Sequence, residues 1–175
     1  MNVSDKIAEW LDEKCIKDCF GVIGSGNMSI WNSIAKREKT RIHCFHHEQA
    51  AVQAAMFYYS TSRNHAVCLV TTGAGSSNAI TGVLSAWMDS IPLLIIAGNE
   101  PTRFLESPVR VKGAQGFDSD LSVRGCMTKG TICLLPDEGA DFSDHFDEAF
   151  YLMNDGRKGP VWITVPVDVQ NMEIQ

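Results

Sequence analysis

Apolar positions recur along the chain with two periods, one helical and one strand-like. Val3, Ile7, Trp10 and Leu11 stand at helical spacing with charges between them, which predicts an amphipathic helix over residues 3–14. Cys19-Phe20-Gly21-Val22-Ile23 reads as a short strand ending in Gly24-Ser25-Gly26, a strand-to-helix turn, and Met28, Ile30, Trp31 and Ile34 predict the next helix. A second strand is expected over 40–45. Glu48 falls where that strand gives way to a helix running to about Ser60, rich in alanine at 50, 51, 54 and 55.

The alternation continues. Residues 65–71 form the third strand, and the glycines at 73 and 75, with Ser76 or Ser77 as N-cap, turn the chain into a helix over 77–88. Pro92 to Ala97 is an unbroken apolar run, as a strand covered on both faces requires. The pattern breaks down from Gly98 to about Ser122, then resumes as a strand over 127–135, a helix over 144–153 and a strand over 159–166. Val167 to Gln175 reads as a linker-like tail. Six strands alternating with helices predict a three-layer α/β/α domain with a six-stranded parallel sheet, spanning residues 1–166. Such sheets bind ligands beyond the carboxyl ends of their strands, where Gly24, Glu48, Gly73 and Gly98 converge.

Composition narrows the function. With 175 residues, 45% of them hydrophobic, the chain can bury one ordinary core. The net charge of −6 and the scattered Lys and Arg argue against a nucleic-acid surface. No window approaches the roughly 18 apolar residues of a membrane span, and Met-Asn-Val-Ser-Asp-Lys lacks the blocks of a signal peptide, so a cytoplasmic location is expected. The six cysteines form no CxxC pair; Cys44, Cys68 and Cys133 lie in strand-like runs and are expected to be reduced, buried thiols.

Several stretches carry candidate chemistry. Gly73-Ala74-Gly75-Ser76-Ser77-Asn78 lets backbone amides approach a ligand, but it lacks the Gly-Lys-Ser/Thr ending of a P-loop and has Asn78 at the third glycine position of the dinucleotide fingerprint. Glu48 suits the first turn of a helix as dipole complement or as a functional carboxylate. His43-Cys44-Phe45-His46-His47 suggests a metal only until strand alternation sends neighbours to opposite faces, so no metal site is assigned. Ala79, Gly82 and Ala86 share one helix face, which permits close packing in the core or at an interface.

Taken together, HEQAA at 47–51, TTG and the downstream Asn at 71–78, AWMDSIPLLIIAG at 86–98 and AFYLMNDGRKGPVWITVPVDVQ at 149–170 resemble the pyrimidine-binding domain of thiamine-diphosphate enzymes, most closely the acetolactate synthase family. The resemblance implies the flavodoxin-like thiamine-diphosphate-binding fold, with Glu48 hydrogen-bonding N1′ of the cofactor's aminopyrimidine in an enzyme acting on 2-keto acids by decarboxylation or carboligation. It aligns Gly24 and Ser25 with the turn near the thiazolium, Thr72, Gly73 and Asn78 with the loop bordering the pyrimidine, and Gln115 with a substrate-lining glutamine. Ile23 and Ala74 stand where prolines are usual, and Asn99 where a glutamine is frequent.

The family's Gly-Asp-Gly and paired asparagines, which hold the diphosphate and its Mg2+ on a separate domain, do not occur here. The middle domain, which in some relatives holds FAD, is also missing. The resemblance therefore implies a homodimer or a diphosphate-domain partner, docked through the helix at 77–88, and little activity of this chain alone. Two rival readings are a Rossmann-like nucleotide-binding domain, with Glu100 as the ribose-holding acid, and a non-catalytic assembly module of the same fold.

Overall fold

The structure is a computed structural model that describes residues 1–105, 107–112, 119–136 and 142–174. The described strands are β1 (Asp18–Gly21), β2 (Arg41–Cys44), β3 (Val67–Val70), β4 (Leu93–Asn99), β5 (Gly130–Cys133) and β6 (Pro160–Pro166). They form one sheet in the order β2-β1-β3-β4-β6-β5, and every pairing is parallel. The helices are α1 (Val3–Glu13), α2 (Met28–Arg37), α3 (Glu48–Ser62), α4 (Ala74–Met88), α5 (Phe142–Asn154) and a short α6 (Val167–Gln170). None of the described helices is long and apolar enough to cross a membrane.

Strand alternation divides the core in two. Val67, Leu69, Leu94, Ile96, Val161 and Ile163 face α1, α2 and α5, whereas Cys68, Val70, Leu93, Ile95 and Trp162 face α3 and α4. Helices therefore cover both faces, which is why β4 and β6 are buried along their whole length and carry no polar alternation. The small face of α4 is spent inside this layer. Ala79 and Ala86 are buried, and a Cβ on Gly82 would lie 2.7 Å from Val52 Cβ of α3.

Some expectations need correction. Helix α4 begins at Ala74 rather than 77, because Gly73 makes the turn with φ 67 and no side chain caps the helix. Ser76, expected as a cap, instead donates its hydroxyl to the carbonyl of Thr71 at 2.7 Å. Strand β5 is shorter than 127–135. Cys44 is exposed and Cys133 half-buried because β2 and β5 are the sheet's outer strands; Cys68, on the inner strand β3, is buried as expected.

The first part of the tail read as linker-like, Val167–Gln170, forms α6 and is packed instead. Val169 and Gln170 are fully buried, and Gln170 Nε2 donates to the carbonyls of Gly26 (2.6 Å) and Val165 (2.8 Å). Ser4 Oγ donates to the Gln170 carbonyl at 2.9 Å, tying α6 to α1.

Candidate functional site

From β1 the chain crosses outward to β2 and then returns to place β3 on the other side of β1. This reversal opens a crevice between the carboxyl ends of β1 and β3, the usual ligand position in sheets of this kind. The turns lining it interlock through residues with little or no side chain. A Cβ on Gly24 would lie 2.6 Å from Thr71 Oγ1, and one on Gly98 would lie 1.8 Å from the carbonyl oxygen of Gly26. The amide of Gly26 donates to Thr71 Oγ1 at 3.1 Å.

Glu48 enters this crevice from the side of β2 as the first residue of α3. His47 precedes it in an extended conformation and caps the helix, its Nδ1 accepting from the amide of Gln49 at 3.2 Å. A helix start favours a carboxylate, yet this one is only 7% exposed. Asn78 Nδ2 donates to its Oε2 at 3.0 Å. Its Oε1 lies 3.0 Å from where a Cβ on Gly75 would stand. The charge is felt behind the crevice: burial first, and then the Glu48 carboxylate, push the Cys68 thiol well up.

The expected site residues divide between two neighbourhoods. Glu48 and Asn78 are in direct contact, and Gly24 joins them through Thr71, which packs between the positions of Gly24 and Gly75. Ser25 is exposed on the same turn as Gly24. Thr72 lies against the same interlocked turns, its hydroxyl 3.4 Å from the carbonyl of Gly98 and 2.3 Å from where a Cβ on Gly26 would stand. Gly73 lies against the following loop: a Cβ there would be 2.0 Å from the carbonyl oxygen of Val111. Gln115 falls outside the described residues.

Sequence reasoning passed over Gly75 and Thr71. Both lay within the quoted Thr-Thr-Gly-Ala-Gly run, but spacing alone does not say which of two glycines faces the carboxylate.

The histidine run is dispersed. His43 Nε2 meets Asp18 Oδ1 at 2.7 Å, at the amino end of β1 and so at the opposite end of the sheet from Glu48. Among the described residues no group of three or more His, Cys, Asp or Glu could hold a metal ion.

Residues 1–122 match the family model of the thiamine pyrophosphate enzyme, N-terminal TPP binding domain. Over 169 residues the chain is 30% identical to "Acetolactate synthase 2, chloroplastic" of Zea mays, covering 95% of this chain and 25% of that protein. It is 31% identical to "Acetolactate synthase 2, chloroplastic" of Nicotiana tabacum over the same length, 24% of that protein. The chain thus spans about a quarter of the length of these relatives.

Two solved structures share the fold. The thiamine diphosphate-dependent 4-hydroxybenzoylformate decarboxylase of Rhodococcus jostii RHA1 superposes with a TM-score of 0.85 at 21% identity, over 99% of this chain and 31% of that one. The benzoylformate decarboxylase from Polynucleobacter necessarius gives 0.83 at 20% identity, over 100% and 32%.

Proposed function

The chain belongs to the family of N-terminal TPP-binding domains of thiamine pyrophosphate enzymes, and from that premise we propose that it supplies the pyrimidine-binding half of an enzyme acting on 2-keto acids. One observation carries the reading. A buried carboxylate at the sheet's reversal point has Asn78 on one oxygen and a glycine, without side chain, against the other. The lack of a side chain at Gly75 lets the start of α4 stand against Oε1 without pressing on it, and a buried carboxylate held through its other oxygen by Asn78 fits the ring nitrogen of an aminopyrimidine. Asn78 sits at the third glycine position of the dinucleotide fingerprint and is engaged with Glu48, which favours this reading over a nucleotide site.

Thiamine diphosphate, when bound, supplies the carbon that adds to the 2-keto carbonyl and the electron sink for loss of carboxylate. This chain's share is proton management. Asn78 donates to Oε2, which leaves Oε1 as the oxygen that would share a proton with a ring nitrogen of the bound cofactor. Glu48 would thereby hold a proton against the ring of the bound cofactor, and the cofactor would supply the base for its own thiazolium carbon. The exclusion of water from Glu48 strengthens that exchange.

The reading assigns the diphosphate and its Mg2+ to a separate domain and leaves FAD to the middle domain of full-length relatives. It also calls for a homodimer or domain partner. The small face of α4 is already used against α3, so the docking surface is the outer side of that layer, where Phe57, Leu84 and Met88 are exposed. None of the six cysteines forms a disulfide, which supports a reducing compartment such as the cytoplasm.

The test is reconstitution. The chain is mixed with, or fused to, a diphosphate-binding domain carrying Gly-Asp-Gly, and CO2 release from pyruvate and benzoylformate is followed with thiamine diphosphate and Mg2+. Turnover that requires both parts is expected. A cofactor-loaded assembly inert towards every 2-keto acid would overturn the proposal.

A further inference from the structure

Lys112 is only 1% exposed, one of the largest fully buried side chains, and nothing in the proton chemistry above uses it. We propose that Lys112 is a positioning residue for Glu48: it clamps the described stretches 101–105 and 107–112 onto the glycine turn that brings Asn78 to that carboxylate. The inference rests on the reading of Glu48 as the pyrimidine-binding acid.

A buried ammonium is tolerated only where its donors are matched. Lys112 Nζ donates to the carbonyls of Phe104 (2.6 Å), Leu105 (3.1 Å) and Ser107 (3.4 Å). These lie at and just beyond the end of the 3-10 turn Thr102–Phe104, where outward carbonyls favour a cation. The far end of the segment is tied down as well. Thr102 donates its amide to both carboxylate oxygens of Asp168 at 3.0 Å and its hydroxyl to Oδ2 at 2.6 Å.

Held in this way, the segment bears on the turn before α4. The carbonyl oxygen of Val111, next to Lys112, occupies the space beside Gly73 so closely that no Cβ could stand there, and Gly73 itself has φ 67. The Gly73 carbonyl accepts the amide of Ser77 at 2.9 Å, the bond that opens α4, and Asn78 is the next residue. A small cavity whose lining includes Gly73, Ser76, Lys112, Asp120 and Trp162 shows that clamp and turn share a wall. The chain of contact therefore runs from Lys112 through Val111 and Gly73 to Asn78 and Glu48.

The test is residue-resolved amide hydrogen exchange on the 175-residue chain, which needs no cofactor, so its failure would leave the reading of Glu48 standing. In Lys112→Met the Ser77 amide should exchange at least about tenfold faster and the Asn78 side-chain amide signals should shift, while the β4 amides of Leu94–Ile96 keep their rates. Unchanged behaviour at Ser77 and Asn78 overturns the proposal, as does an equal acceleration in β4, which would mark a purely global loss of stability. If Lys112→Met does not fold, Asp168→Asn loosens the other end of the segment. Faster exchange at Ser77 with β4 unmoved then supports the clamp, and no change at Ser77 contradicts it.

Discussion

Asn78 Nδ2 donates to Glu48 Oε2 across 3.0 Å, joining two helices at positions 30 residues apart in the chain. The bond fixes which carboxylate oxygen remains for a ligand. Removing it by Asn78→Ala should weaken thiamine diphosphate binding to the assembled enzyme roughly 10- to 100-fold, the range for a hydrogen bond to a charged group. Asn78→Asp should be worse, because two carboxyl groups would then compete for one proton. Calorimetric titration, with circular dichroism to confirm the fold, decides both.

Two glycines separate site from scaffold. A Cβ on Gly75 would press on Glu48 Oε1 at 3.0 Å and on Thr71 Cγ2 at 2.6 Å, whereas one on Gly82 would press on Val52 Cβ at 2.7 Å. Each alanine substitution should cost about 1–3 kcal/mol in urea denaturation, as overpacking does. Gly75→Ala alone should also raise the KM for the cofactor. For Gly82→Ala, pairing with Val52→Ala should restore stability.

These contacts mark how far the sequence could be read. The unbroken apolar runs of β4 and β6 announced covered strands, and the helix start after β2 put Glu48 at a sheet edge. Long-range contact was illegible. Gly73 and Gly75 look alike in a sequence, yet one meets Val111 and the other Glu48. Gln170 in a polar tail reads as solvated, but it is buried because two backbone carbonyls accept its amide. Lys112 was passed over because a lysine reads as surface until three carbonyls are found around it.

Asp18 should govern acid stability. Burial opposes its ionisation, but hydrogen bonds from Arg41, Tyr58 and His43 outweigh that and hold its carboxyl down from 3.8 to about 2. A depressed carboxyl contributes stability that is fully present above the unfolded value and is lost as pH falls through the folded one. Unfolding free energy should therefore drop by about 1–2 kcal/mol between pH 4 and pH 2 through this group. In Asp18→Asn that part of the slope should vanish; an unchanged slope would assign the loss elsewhere.

His65 should act in a higher window. Burial first, and then the charge of Lys158, hold its imidazole below the usual range. Its Nδ1 is buried without a hydrogen-bond partner among the described residues. The unfolded chain takes up that proton first, so the contribution is whole above about pH 6.5 and declines as pH falls below it. Phenylalanine could keep the stack on Tyr59 (5.3 Å between ring centres) and the edge contact with Phe150 (4.9 Å). His65→Phe should flatten the fall in Tm between pH 7 and pH 5.

Proton loss from the thiazolium C2, followed by deuterium exchange in the assembled enzyme before any keto acid is added, reads the role of Glu48 without substrate chemistry in the way. Glu48→Gln should slow that exchange by about 100- to 10,000-fold while the assembly still forms and binds thiamine diphosphate. Exchange at the wild-type rate in the loaded variant would contradict the assignment of the shared proton to Glu48.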